Sequence, residues 1–210
     1  GQRLRNHDGV DQIQKIIEKF NDDPLIHGII VQRPLPKKLR ADTIRLSKDV
    51  DGFLPNSPYP VPVAAAVLTI LEKVTGPGPV KKQGQAPSIV VIGRGETAGK
   101  PIAEALIKKG SRVTIVHSHT PNSDDVTRVA DIVISCVGKP NVVRRDNIKE
   151  GAILISVGLS RDSEGKLHGD YEGDEIKDVA VFYTPTPGGV GPVNVACLMK
   201  NLVQAASKLL

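Results

Sequence analysis

The sequence predicts an α/β protein: a parallel sheet with helices on both faces, preceded by a smaller α/β segment and closed by a long helix. Three observations predict it. From Ser88 onward, short apolar runs alternate with helix-forming stretches, the rhythm of β–α–β units. The first of these runs, Ile89–Ile92, is apolar throughout, as a strand covered on both faces is. The 210 residues are 40% apolar and 24% charged, too apolar for a disordered chain.

The elements follow in order. Val10–Phe20 carries apolar residues at helical spacing with Asp11 in its first turn, and Asn21–Pro24 ends it. His27–Gln32 is an apolar run between Pro24 and Pro34, which predicts a buried strand. Arg40–Ser47 reads as a short helix. After the proline-rich Pro55–Pro62, Val63–Val74 reads as a helix stopped at Thr75-Gly76-Pro77. Gly76–Pro87 has the composition of a linker. Strands are expected at Ser88–Ile92, Arg112–Val116, Asp131–Cys136, Ala152–Val157 and Val179–Phe182, with helices at Gly99–Lys109, Ser123–Val129 and Val193–Leu210.

Composition excludes several function classes. The net charge of +5 comes from lysine pairs spread along the chain, which suits a small anionic ligand or a solvated surface. Aromatic residues are only 3%, with no Trp, so stacking platforms for nucleic acid are not expected. No apolar run reaches the roughly 20 residues of a membrane span, and GQRLRNHDG at the start has no apolar signal core. Cys136 and Cys197 are too few for a disulfide scaffold and lack metal-ligand spacing, so an intracellular, cytoplasmic setting is expected.

Residues 88–101 read SIVVIGRGETAGKP. Gly93 permits a tight turn, Gly95 lets backbone approach a phosphate, and Gly99 lets the helix pack closely on the strand. The helix N-terminus offers N–H groups and a positive dipole end to an anion. The G-x-G-x-x-x-G spacing is one residue longer than the common fingerprint, and glycines that only turn the chain are the alternative. The second strand ends Val116-His117-Ser118-His119-Thr120. An NAD site would place Asp or Glu there for the ribose 2′-OH. Arg94, a hydroxyl and a histidine suit a 2′-phosphate instead, so NADP is the expected cofactor, with turn chemistry at Ser118 and His119 the alternative. His117 and His119 have no third ligand nearby, so no metal is expected.

Thr184–Pro192 (TPTPGGVGP) concentrates special backbone positions just past the last strand, at the edge where open α/β sheets bind ligands. Chain reversal is the alternative there. In Lys48–Phe53 (KDVDGF), Asp51 before Gly52 either caps a turn or offers its carboxylate to the N–H and NH₂ edge of a heterocycle. Val31-Gln32-Arg33-Pro34 brings an amide towards the same side.

Together and in order, GIIVQRPLP (28–36), KDVDGF (48–53), VIGRGETAGKP (91–101), VTIVHSHT (113–120), AILISVGL (152–159) and TPTPGGVGPVNVA (184–196) resemble the bifunctional methylenetetrahydrofolate dehydrogenase/cyclohydrolase family. The resemblance covers nearly the whole chain. It implies a folate-binding catalytic domain over 1–62, a Rossmann-like NADP-binding domain over 63–190, and a C-terminal helix over 191–210 that returns to the first domain, with folate between the domains. It implies that Gln32 tunes a catalytic lysine and Asp51 holds the pterin. Val31, Arg33 and the loop Pro187, Gly188, Gly189, Val190 and Gly191 would line the folate. Gly93, Arg94 and Gly95 would cradle phosphate, Ser118 and His119 would meet the 2′-phosphate, and Leu159 would meet the nicotinamide. A homodimer is also implied, with no nucleic-acid or membrane partner.

The chain departs from the family pattern in several places. Gly95 replaces the usual Ser, which removes a phosphate hydrogen bond, and Ala98 replaces Val. His119 replaces Lys or Arg, which would make NADP affinity pH-dependent. Val61 stands where the family has Thr. The stretch from Asp51 to Pro62 is shorter than the resemblance implies. The family's Tyr-x-x-x-Lys is missing: Val63, Glu175 and Pro187 stand four positions beyond Tyr59, Tyr171 and Tyr183. The given sequence is therefore expected to be a piece of a longer protein or to lack internal segments, and to keep NADP binding better than cyclohydrolase activity. Two alternatives stay open at this point: another Rossmann dehydrogenase of the shikimate dehydrogenase kind, and a non-catalytic nucleotide-binding module.

Overall fold

The computed structural model describes residues 9–33, 35, 38–39, 41–76 and 86–207. In chain order its elements are α1 (Val10–Asp22), α2 (Pro62–Thr75), β1 (Ile89–Ile92), α3 (Gly99–Lys108), β2 (Val113–Val116), α4 (Ser123–Arg128), β3 (Ile132–Ser135), β4 (Ile153–Ser156), β5 (Ser160–Arg161), β6 (Leu167–His168), α5 (Gly173–Ile176), β7 (Phe182–Tyr183) and α6 (Val190–Ser207). The chain divides into two compact units, Gly1–Pro62 with Ala196–Leu210, and Val63–Val195.

In the first unit, the apolar face of α1 supplies Ile17 to a core shared with Ile29 and Ile44 and flanked by Phe20, Val31 and Leu54. Lys48 closes the C-terminal end of α1. It is buried, and its Nζ donates to the carbonyls of Phe20 and Asp23, each at 2.7 Å. A cation at the negative end of a helix satisfies carbonyls that have no partner within the helix. From α6, Asn201 Nδ2 donates to the carbonyls of Val50 and Pro60, each at 2.9 Å. Lys48→Met keeps the buried stem and removes the charge, and is expected to cost about 2–3 kcal/mol of stability. A denaturant titration reads this as a lower midpoint.

Two expectations fail in this unit. His27–Gln32 is not a strand. Its burial alternates as a strand's does, with Ile29 buried and Ile30 half-exposed, but the backbone bond of Ile29 N–H to the Lys48 carbonyl (2.7 Å) is not continued into a ladder among the described residues. Arg40–Ser47 is not one helix but two 3₁₀ turns, Ala41–Thr43 and Leu46–Lys48. The buried Asn21 explains the break. Its Oδ1 takes the Arg45 N–H at 2.9 Å and its Nδ2 donates to the Thr43 carbonyl at 2.7 Å, which draws backbone groups out of the helical pattern.

The second unit is built on a five-stranded sheet in the order β2-β1-β3-β4-β7, every pair parallel. β1, β3 and β4 are buried at all positions, which accounts for their apolar runs, unbroken in β1 and closed by the buried Ser135 in β3 and Ser156 in β4. From β1 the chain passes through α3 to β2 on one side, then through α4 to β3 on the other. That reversal opens a crevice at the carboxyl ends of β1 and β3. Most of the linker reading at Gly76–Pro87 lies outside the described residues.

Three further details differ from expectation. The last strand is Phe182–Tyr183, because Val179 and Ala180 pack on the core from the connecting turn while Val181 is exposed. The final helix begins at Val190, so the second glycine loop runs into its first turn. The antiparallel hairpin β5–β6 and the short α5 were not legible as periodic patterns.

Candidate active site

The turn from β1 into α3 is shaped by two glycines that touch. Gly93 has φ +101°, a conformation that strongly favours glycine, and a Cβ on Gly99 would overlap the Gly93 carbonyl oxygen. Gly95 differs from both: a Cβ there would meet nothing within 4 Å, so its backbone borders open space. α3 begins without a side-chain cap and without an acidic residue in its first turn. Helix starts of that kind receive anions.

β2 runs beside β1, with Ile92 paired to Val116 and the Gly93 N–H donating to the Val116 carbonyl at 2.8 Å. Arg94 and the His117–Thr120 turn therefore leave neighbouring strands at one edge, about 5 Å between strand axes. Ser118 and His119 are exposed there, with Ser118 Oγ 3.2 Å from His119 Nδ1. The turn is closed by the Thr120 N–H bonded to the His117 carbonyl at 2.8 Å.

Leu159 follows β4 and is 54% exposed, an apolar side chain presented at the same edge. The loop after β7 also leaves that edge. It lies three strand spacings from Gly93, roughly 14 Å. Pro187, Gly188 and Gly191 are exposed, and the Thr186–Pro187 peptide is cis. Val190 is buried, so what it offers a ligand is its backbone.

The first unit holds a shallow concavity lined by Val31, Arg33, Asp49, Asp51, Phe53 and neighbouring aliphatic side chains. Asp51 is half-buried, and burial, with the charge of Asp49, raises its pKa above 3.8 against the opposing pull of Arg33. The Arg33 guanidinium lies 4.3 Å from the centre of the Phe53 ring. Asp49 accepts the Leu54 N–H at 3.0 Å and holds the turn that carries Asp51. Gln32 is exposed and does not line the concavity, because alternate residues of an extended segment face opposite ways.

Sequence reasoning missed Asp49, the Arg33–Phe53 pair and the buried Asp170. Asp49 stands in the motif that singled out Asp51, but nothing in its spacing distinguishes the two carboxylates. Burial pushes the Cys136 thiol up to about 12, with Asp170 adding to the shift, so it stays protonated and unreactive. Among the described residues no group of three His, Cys, Asp or Glu could hold a metal ion.

The residues present fit NADP: open space at Gly95, an uncapped helix start, Arg94 in the turn after β1, and, after the neighbouring β2, a His117–Thr120 turn that exposes Ser118 and His119 and carries no carboxylate. Comparison with known proteins agrees with the geometry. Residues 62–210 match the family model for the tetrahydrofolate dehydrogenase/cyclohydrolase NAD(P)-binding domain, and residues 2–51 match that for its catalytic domain. The chain is 40% identical to the bifunctional protein FolD of Streptococcus thermophilus over 95% of its own length and 73% of that protein's. The crystal structure of the Campylobacter jejuni FolD methylenetetrahydrofolate dehydrogenase/cyclohydrolase is similar, with a TM-score of 0.87, 32% identity, and coverage of 97% of this chain and 75% of that one. The Trypanosoma brucei enzyme, solved with NADP cofactor and an inhibitor, gives a TM-score of 0.83 at 32% identity over 96% of this chain and 74% of that one. Matched in both of its parts, the chain belongs to the tetrahydrofolate dehydrogenase/cyclohydrolase family.

Proposed function

We propose that the protein oxidises 5,10-methylenetetrahydrofolate to 5,10-methenyltetrahydrofolate with NADP and hydrolyses the product to 10-formyltetrahydrofolate. The observation that carries the NADP assignment is the pairing of an open glycine turn and Arg94 with a β2 end that bears Ser118 and His119 and no carboxylate. NADP, when bound, supplies a nicotinamide C4 that accepts hydride. The protein's part in that step is placement. Gly93–Gly95 and the α3 start hold phosphate, Arg94, Ser118 and His119 hold the 2′-phosphate, and Leu159 offers an apolar surface to the nicotinamide.

Asp51 accepts the pterin's N–H and NH₂ edge within the concavity, with Val31 and Arg33 on its walls. The family resemblance also assigns to folate Gln32, exposed in the first unit, and, within the second unit, the backbone of Pro187–Gly191. For the hydrolytic step, the family's lysine is not supplied by any Tyr-x-x-x-Lys in these residues. Lys48 does not substitute for it, since its ammonium is committed to the carbonyls of Phe20 and Asp23. Among the described residues no helix is long and apolar enough to cross a membrane. The family resemblance supports an intracellular homodimer.

Steady-state kinetics with both cofactors tests the assignment. Arg94→Ala is expected to raise KM for NADP about tenfold, the value of one charge-assisted contact, and to leave KM for NAD nearly unchanged. An unchanged NADP/NAD ratio overturns the 2′-phosphate role.

A further inference from the structure

We propose that Asp170 is a positioning residue that shapes the loop after β3, and through it the nicotinamide end of the NADP site. The proposal rests on the functional reading above and assigns work to a buried carboxylate which that reading does not use.

Asp170 follows β6 and is completely buried. Taking a carboxylate out of water is costly unless hydrogen bonds replace the solvent. Here they come from consecutive backbone groups. Oδ1 accepts the N–H of Gly138 (2.7 Å) and of Lys139 (3.0 Å), and Oδ2 accepts the N–H of Val137 (3.2 Å). The Asp170 carbonyl accepts the N–H of Val142 and Val143, each at 3.0 Å. One residue thus grips both ends of the Val137–Val143 segment. Its own N–H is anchored on Ser156 Oγ at 2.9 Å, at the end of β4.

The gripped loop lies where a dinucleotide's reactive end belongs. It leaves β3, the strand next to β1 at the crevice. A Cβ on Gly93 would stand 3.1 Å from the Cys136 carbonyl oxygen, so the start of this loop touches the phosphate turn. On its other side a Cβ on Gly138 would stand 3.0 Å from the Leu159 carbonyl oxygen. Gly158 has no room for a side chain, because one would overlap the Asp170 carboxylate and the Gly138 nitrogen. The loop therefore bridges Gly93 and Leu159, and Asp170 lies beneath both ends of the bridge.

The chemistry follows from peptide geometry. A trans peptide points its carbonyl opposite to its N–H. With the Val137, Gly138 and Lys139 N–H groups drawn to Asp170, the carbonyls of Cys136, Val137 and Gly138 are turned away from it. A row of carbonyls accepts N–H donors, which NADP offers at the adenine amino group and at the nicotinamide carboxamide; the loop lies on the Leu159 side of β1, away from the β2 end that takes the 2′-phosphate, so the carboxamide is the donor that belongs there. Asp170 in this account does not touch the cofactor. It sets which way the acceptors face.

Asp170→Asn keeps the shape but turns one oxygen into a donor facing a backbone N–H. Equilibrium binding of NADP is compared with that of adenosine 2′,5′-bisphosphate, which has the 2′-phosphate end and no nicotinamide. Asp170→Asn is expected to weaken NADP about tenfold and to change the bisphosphate by less than about twofold. Gly138→Ala, at φ +70°, disturbs the same loop without touching the carboxylate and is expected to give the same split, so it decides the matter if Asp170→Asn does not fold. Parallel losses for both ligands, or no loss for either, overturn the proposal. Failure of the unsubstituted protein to bind either ligand overturns the NADP reading instead.

Discussion

Gly99→Ala is expected to lower kcat/KM for NADP by about two orders of magnitude, the cost of moving a binding element by roughly 1 Å. The added Cβ falls on the Gly93 carbonyl oxygen and lies 3.3 Å from the Arg94 nitrogen. Neither neighbour is a flexible side-chain end; both are backbone. Either α3 slides back along its axis or the turn opens. Each response moves Gly95 and Arg94 away from the phosphates. Overpacking of this kind also costs about 1–3 kcal/mol of stability. The control is folate binding, which the account places on Asp51 in the other unit and expects to survive. An unchanged kcat/KM for NADP would show that the contact between α3 and β1 does not shape the phosphate site.

Asp51→Asn is expected to weaken folate binding roughly 10–100-fold, the loss of one to two charge-assisted hydrogen bonds, with NADP affinity unchanged. The electrostatics of the concavity sharpen this. Burial and Asp49 raise the Asp51 pKa above 3.8. If the ionised form holds the pterin, folate affinity of the unsubstituted protein falls as pH drops through that raised value, earlier than an ordinary carboxyl would allow. The Asn variant loses this acid limb. The sign for stability is opposite. A carboxyl with a raised folded pKa favours folding only when protonated, and that contribution is lost as pH rises through the raised value. Asp51→Asn is therefore expected to leave the melting temperature at neutral pH unchanged or higher. A parallel loss of folate and NADP binding would remove Asp51 from the pterin site.

The second unit was legible because its strands are buried on both faces. Ile89–Ile92, Ile132–Ser135 and Ile153–Ser156 announce themselves as apolar runs with helices between them. The phosphate turn was legible for a related reason: steric crowding between Gly93 and Gly99 leaves no residue but glycine, and that shows in sequence. The first unit was harder. His27–Gln32 has a strand's composition, yet strand formation depends on a neighbouring ladder that no local pattern encodes. Arg40–Ser47 has helical spacing, but Asn21 diverts its hydrogen bonds from a distant position in the chain. Asp170 was invisible because its partners are backbone N–H groups 31 to 33 positions away, and backbone groups leave no mark on residue type. Among the candidate site residues, Asp51 was marked by its motif, but Arg33 over Phe53 is a product of the fold.

The most direct test of the account is the fate of the transferred hydrogen. The protein is given 5,10-methylenetetrahydrofolate deuterated at the methylene carbon, together with NADP, and the reduced cofactor is analysed by mass spectrometry. The account predicts that deuterium passes to the nicotinamide ring without exchange with solvent. Reduced cofactor carrying solvent hydrogen, or no reduced cofactor at all, would contradict it.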